Sequence, residues 1–393
     1  MKKIRAIIRA PLLSVSGYGV HSRQLLTYLE KSDLNFDIET QTVNWGNTPW
    51  LLNPDLENGQ VGRVMEKSMK KDEIADVSFQ VQLPDEWDPN LAKINIGLSA
   101  ILETNLCNKE WVTACNNMDA VIVPSQHAKE VLEMSGNLET ELYVVPEWFF
   151  PEIIEENSAD EYFKNYNFGT DFNFLIVSQL TGQNTDTDRK NIFYTLKWFC
   201  EVFKDDPSVG IILKTNHGRG TSIDRMLTES LLKNVLSDIG KKDFPKIHFL
   251  HGNLTPSEMA GLYSNKSVKA FVSLTRGEGF GLPLLESAAA GIPVIATNWS
   301  AHTEFLSMGR FLSINYDLID VPESKIDGRI FVNGIKWADP HEKDFKKKIA
   351  KFREKSEIPT EWAKELSAKI RNKYSSSSIC KMYDSVIKEI LEV

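Results

Sequence analysis

The stretch TRGEGFGLPLLESAAAGIPVIAT, residues 275–297, sets Glu278 and Glu286 eight positions apart, with Gly-Phe-Gly and a proline between them. Upstream, KAFVSL (269–274) reads as a buried strand. PLLESAAAG (283–291) reads as a helix, with Pro283 suited to its first turn and Gly291 to its end. The glycines Gly277, Gly279 and Gly281 therefore occupy a strand-to-helix turn. Free of side chains, such a turn lets backbone N–H groups approach a ligand, while the helix N-terminus offers partial positive charge to a phosphate. Glu286 is expected in the first helical turn, either accepting two ribose hydroxyl protons or complementing the helix dipole. Glu278 is either a sugar ligand or a solvated loop residue.

Outward from this turn, the same alternation recurs. FNFLIVS (172–178), NIFYTLKWFCEVF (191–203), VGIILKT (209–215), a helix over about 222–239, KIHFLHG (246–252) and TPSEMAGLYSN (255–265) lead up to it. An earlier series runs IRAIIRA (4–10), GVHSRQLLTYLEK (19–31), KINIGL (93–98), KEWVTACNNM (109–118), DAVIVPS (119–125), QHAKEVLEMSG (126–136) and ELYVVP (141–146). Apolar strands alternating with helical patterns specify α/β architecture around parallel sheets. The polar stretch near residues 151–170 marks a boundary between two doubly wound domains, 1–165 and 166–375. The helix at about 376–393 is placed back on the first. Ligands of such sheets sit beyond the carboxyl ends of the strands, so the turn at 275–281 is expected to border a cleft.

Composition narrows the function. The chain has 393 residues, 42% hydrophobic and 25% charged, which suits a globular protein of two or three domains. A net charge of -9 argues against a surface built for bulk phosphate binding. Cys107, Cys115, Cys200 and Cys380 follow no metal or redox spacing and read as reduced thiols in a cytoplasmic protein. No apolar run approaches the length of a transmembrane helix, and the basic start MKKIRAIIRA lacks a cleavage site.

The run EGFGLPLLE (278–286) resembles the hallmark of retaining nucleotide-sugar glycosyltransferases of the GT-B fold, glycosyltransferase family four: glutamate, seven residues, glutamate. The resemblance extends through AAAGIPVIAT and back through LHGNLTPSEMAGLYSNKSVKAFVSL, and in weaker form to GYGVHSRQLLTYL and NKEWVTACNNMDAVIVPSQHAKEVL. It implies two Rossmann-like domains, an N-terminal acceptor side and a C-terminal donor side. It implies that Glu278 lies by the donor sugar, that Gly279, Phe280, Gly281 and Leu282 present backbone to sugar and phosphate, and that Glu286 holds the ribose.

In DTDRKN (186–191), Arg189 and Lys190 stand at a helix start. The family carries a basic pair there against the pyrophosphate, and Lys190 matches its lysine. The family often places the arginine earlier, where this chain has SQLTGQ, so Arg189 takes that role or none. Asp186 and Asp188 have Asp-x-Asp spacing, yet the resemblance implies no metal and no cofactor beyond a nucleotide-diphosphate sugar as substrate. Gly17 and Gly19 in SGYGVHS are carried over as donor-side residues and His21 as acceptor-side. Lys214, His251, Asn253 and Glu304 are further donor-side candidates. Glu103 and Trp45, with Trp50, are acceptor-side candidates; as a helix-start residue and buried loop anchors they would look the same. HEKDFKKKIAKFREK (341–355) reads as an amphipathic helix that lies on the protein or touches an anionic membrane.

The expected reaction is transfer of a sugar to a hydroxyl with retention, by front-face substitution in which the leaving diphosphate takes the acceptor's proton. Acceptors range over glycans, glycolipids and other envelope precursors, and a hydroxylated DNA base. The alternatives are a GT-B phosphorylase or sugar epimerase, or a nucleotide-sugar sensor without catalysis.

Overall fold

In a computed structural model of the chain, residues 3–69, 74–101, 103–182, 184–238 and 245–392 are described. The chain divides into two compact units, Met1–Trp148 with Ser376–Val393, and Phe149–Ser375.

The first unit holds strands β1 (Ile4–Ala10), β2 (Phe36–Thr42), β3 (Ala75–Val81), β4 (Ala92–Leu98), β5 (Ala120–Val123) and β6 (Leu142–Val144) in the order β2-β1-β3-β4-β5-β6. Every pairing is parallel, with Ile4 opposite Phe36 and Phe79 opposite Ile96. Helices α1 (Gly17–Lys31), α2 (Leu56–Glu66), α3 (Lys109–Cys115) and α4 (Gln126–Ser135) connect them. Short side chains begin these helices: Ser16, Asn108 and Ser125 each accept a backbone N–H of the first turn, which otherwise lacks an intrahelical partner.

The second unit begins with α5 (Glu161–Asn165), then β7 (Phe172–Val177), α6 (Ile192–Phe203), β8 (Val209–Thr215), α7 (Ser222–Asp238), β9 (Lys246–His251), α8 (Pro256–Tyr263), β10 (Val268–Ser273), α9 (Leu282–Ala290), β11 (Val294–Thr297), α10 (His302–Leu306) and β12 (Leu312–Ile314). Residue 239, the expected end of α7, lies outside the described residues. The strand order is β12-β11-β10-β7-β8-β9, all parallel. This is the doubly wound order whose direction reverses between its first and fourth strands, β7 and β10. The stretch 151–165, expected in the first domain, packs on the second unit: Asp160 N–H donates to Ser257 O at 2.9 Å, and a Cβ at Gly261 would stand 2.4 Å from Asp160 O.

Beyond β12 come the antiparallel hairpin β13 (Tyr316–Asp320) and β14 (Lys336–Pro340), then α11 (Glu342–Glu354), α12 (Glu357–Lys373) and α13 (Ser376–Ile390). The apolar face of α11, Phe345, Ile349 and Phe352, lies in the core with Phe174, Phe199 and Phe203. That corrects the membrane reading of this helix, because burying each Phe stabilises the fold by about 1.5–3 kcal/mol and leaves no apolar face for lipid. Among the described residues no helix is long and apolar enough to cross a membrane. Helix α13 belongs to the first unit, where Tyr383 stacks on Tyr28 at 5.0 Å and the Ile379, Tyr383 and Ile387 side chains are buried.

Candidate active site

The β7–α6 and β10–α9 loops leave the two strands at which the second sheet reverses. Their side chains meet: Lys190 Nζ donates to both Glu278 carboxylate oxygens at 2.7 Å, and each side chain is only 14% exposed. The geometry is built locally. Asp188 is fully buried and accepts from Ile192 N–H at 2.7 Å, Lys190 N–H at 3.2 Å and Thr181 Oγ at 3.0 Å. These bonds cap the start of α6 and hold the loop that carries Lys190 and Arg189. Both Asp188 oxygens are thereby engaged, whereas Asp186 is exposed; among the described residues no acidic, His or Cys cluster has metal-ligand geometry.

On the other side, Gly281 caps α9 with φ +99°, a conformation that favours glycine. A Cβ there would lie 3.2 Å from Leu284 Cδ1 and 3.3 Å from His302 Cβ. The Phe280 ring is buried against Phe305 and Tyr374, so its side chain anchors the loop. Glu278 N–H donates to Ser300 Oγ at 2.8 Å, and His302, also buried, shares a hydrogen bond with Thr297 O at 2.7 Å. Burial alone would raise the Glu278 pKa. Lys190, with the charges of Arg189 and His302, outweighs burial and holds the group below its ordinary value. Burial lowers His302 in turn.

Glu286 has a different environment. The helix starts at Leu282, so Glu286 stands one turn in, not in the first turn, and the expected capping of the dipole does not apply. It is 7% exposed, and Tyr263 O–H at the end of α8 donates to its Oε2 at 3.1 Å. Burial pushes its pKa up to about 7, against the Tyr263 hydrogen bond and the charge of Lys214, with Glu152 adding to the rise. Lys214, at the end of β8, is lowered by burial and raised by Glu286.

A third cluster lies beyond β8 and β9. His251 Nε2 pairs with Asp224 Oδ2 at 2.7 Å, both nearly buried, and that oxygen also accepts weakly from Gly220 N–H at 3.3 Å. Gly220 (φ +69°) would place a Cβ 3.5 Å from Gly252 and 3.8 Å from the exposed Asn253. Glu304 is exposed on α10. Thus Lys190 meets Glu278, and Lys214 acts on Glu286 only through its charge, while Tyr263 bonds Glu286, Ser300 holds the Glu278 backbone, His302 lies close to Gly281 and Asp224 pairs with His251, none of these four having been singled out in the sequence. Tyr263 sits in the apolar pattern of a helix and carries no sequence signal of its own. His302 follows the strand PVIAT closely enough that strand-end position marks it.

In the first unit, Gly19 approaches backbone closely: a Cβ there would fall 2.0 Å from Ser14 O, whereas at the exposed Gly17 it would meet nothing within 4 Å. His21 is buried in the core and its Nε2 lies 3.0 Å from the Tyr383 hydroxyl, tying α1 to α13. Burial lowers its pKa to about 4. Trp45, half-buried, stacks on Tyr18. Trp50 is 40% exposed, so it is no buried anchor.

Residues 230–368 match the family model described as Glycosyl transferases group 1. A probable sucrose-phosphate synthase of Thermosipho melanesiensis is 24% identical over 184 residues, which are 46% of this chain and 38% of that protein. The chain thus matches well under half of that relative's length. Among solved structures, a glycosyltransferase from Rickettsia africae superposes with a TM-score of 0.65 at 13% identity, over 100% of this chain and 99% of that one. A sucrose-phosphate synthase from Thermosynechococcus elongatus gives 0.63 at 12% identity over the whole of both chains. Anabaena HepE in complex with UDP and glucose gives 0.62 at 12% identity over 99% of each. The chain has the GT-B fold, and the part of its second unit from 230 to 368 is similar to the glycosyl transferases group 1 family.

Proposed function

We propose that the chain is a retaining glycosyltransferase that takes a sugar from a nucleotide diphosphate, bound in the second unit, and transfers it to a hydroxyl. The observation that carries this reading is the buried Lys190–Glu278 pair beside the glycine-capped start of α9, at the strands where the sheet order reverses. A diphosphate leaving group develops negative charge, which fixed cations and N–H groups stabilise best where water is excluded. Lys190, Arg189 and the first amides of α9 supply these. Glu278 then faces the sugar, and Glu286, oriented by Tyr263 and Lys214, receives the ribose hydroxyls. Proton transfer from the acceptor to the departing phosphate needs no separate base, which suits front-face substitution with retention. The engaged Asp188 gives no support to a metal, so the reaction is expected to proceed in the presence of a chelator. The likeness to a structure solved with UDP and glucose supports a uridine nucleotide as donor.

The test is incubation with a panel of nucleotide sugars in excess chelator, following nucleoside diphosphate release and the anomeric configuration of any product. Release from one donor is expected, with Glu278→Gln slowing it at least about a hundredfold. No release from any donor, or unchanged rates in that variant, would refute the assignment.

A further inference from the structure

The Lys190–Glu278 pair is supplied by two loops, and the hairpin β13–β14 grips both. Arg276 lies two residues before Glu278 on the β10–α9 loop. Its N–H donates to Arg189 O at 2.8 Å, next to Lys190, and its own carbonyl accepts Ala338 N–H of β14 at 2.9 Å. One residue thus joins the lysine's loop, the glutamate's loop and the hairpin. The hairpin holds the lysine's loop at a second point, where Lys325 Nζ donates to Thr181 O at 3.2 Å. Between these points the loop closes on itself: a Cβ at Gly182 would fall 2.5 Å from Asp188 N.

The Arg276 side chain is the fastener. It is 3% exposed, its Nη1 donates to Asp339 Oδ1 at 2.6 Å, and its guanidinium lies over the Trp337 ring, 5.3 Å from the centroid. Trp337 is itself buried, with the Phe331 ring edge-on at 6.1 Å. Stability alone does not call for this arrangement. A buried ion pair exchanged for packed apolar groups is often neutral or more stable, and the Arg276 Nε–H finds no acceptor among the described residues. What a planar, forked cation supplies is a fixed direction. The hairpin serves it from β14, since on β13 Asp317, Leu318, Ile319 and Asp320 are exposed.

We infer that Arg276 is a positioning residue: held by Asp339 and Trp337 of the hairpin, it fixes the β7–α6 loop against the β10–α9 loop and so sets the Lys190–Glu278 contact. Misplacing such a group by about 1 Å costs up to about a hundredfold in rate, even when the change lies away from the chemistry. As a contribution to turnover the role of Arg276 rests on the transferase reading above; as the device that sets the contact it does not.

The test uses the full chain with Arg276→Lys, which keeps the charge and loses the fork, and with Asp339→Asn, at a side chain 45% exposed that keeps an oxygen for the bond. On the nucleotide sugar that the wild type turns over, kcat of the folded fraction is expected to fall at least about tenfold in Arg276→Lys and at least about threefold in Asp339→Asn, with donor KM moving less than kcat in each. A role in folding alone would lower the melting temperature and leave both constants of the folded fraction unmoved. That result, a rise in KM without a fall in kcat, or an equal loss of kcat in Leu318→Ser on the exposed strand would overturn the inference. Should Arg276→Lys not fold, Asp339→Asn carries the same test. A second readout needs no turnover: NMR titration of the labelled side-chain carboxyls. Glu278 should titrate below its ordinary value in the wild type, where Lys190 stands against it, and move back toward that value in both variants. If no donor is turned over even by the wild type, the transferase reading falls and the titration alone decides; a Glu278 value left in place by both variants would overturn the role of Arg276.

Discussion

Glu278 and Glu286 lie on one loop and helix, yet their surroundings drive their protonation in opposite directions. Glu278 gains a lysine at 2.7 Å from both oxygens, whereas Glu286 is buried with a tyrosine hydroxyl and a more distant cation. The sign of each effect follows. The lowered value of Glu278 gives stability that is present above the usual carboxylate range and is lost on acidification. The raised value of Glu286 means the folded chain binds an extra proton between the unfolded carboxylate pKa and about 7, so its contribution declines as pH rises through that window. Glu286→Gln should therefore stabilise the fold at pH 8, by on the order of 2 kcal/mol, and much less at pH 5. Its donor KM should rise, and the wild type's own donor KM should fall as pH is raised through 7. Denaturant midpoints at the two pH values, with KM profiles, decide this; equal midpoint shifts at pH 5 and pH 8 would count against a raised Glu286.

At the scale of the element, the two glycines that open α1 have different jobs despite their shared sequence context. Gly19→Ala drives a Cβ into the Ser14 carbonyl, which cannot swing away as a flexible side chain would, so a loss of roughly 3 kcal/mol or more is expected. Gly17→Ala meets open space and should change stability by less than about 0.5 kcal/mol. Thermal melts of both variants check the pair, and matched melting temperatures would contradict the close approach. The elements themselves were legible. Strand-and-helix alternation marked β7 to β11 and the turn at 275–281, and the glutamate spacing marked the loop whose Glu278 pairs with Lys190. What local sequence could not carry were pairings across long separations: Lys190 and Glu278 are 88 positions apart, and Tyr263 and Glu286 are 23 apart. Period fixed that Tyr263 points inward from α8, but a tyrosine in an apolar stripe looks the same whether it packs or donates. The contact of His21 with Tyr383 is of the same kind, its partner standing 362 positions away. The hairpin β13–β14 and the inward face of α11 likewise depend on tertiary packing, which overrides the charged appearance of residues 341–355.

For the whole molecule the electrostatic question is how a chain of net charge -9 would hold a diphosphate. The long-range field repels such a ligand, and salt screens it over about 8–10 Å. The cations at the proposed site are buried or nearly so, and are screened much less: Lys190 is 14% exposed and Lys214 is half-buried at the end of β8. Binding should therefore survive physiological salt, and it should appear as stabilisation of the folded state by mass action. At a hundred times its dissociation constant UDP is expected to contribute about 2.7 kcal/mol, which for a unit the size of residues 149–375 raises the melting temperature by roughly 5–10 °C. Lys190→Ala removes the cation and frees Glu278 to repel the phosphates, so its shift at the same UDP concentration should be less than half that of the wild type. Differential scanning fluorimetry at low and physiological salt measures both. A wild-type shift that vanishes at physiological salt, or one that Lys190→Ala leaves intact, would mean that the diphosphate does not bind at the buried pair.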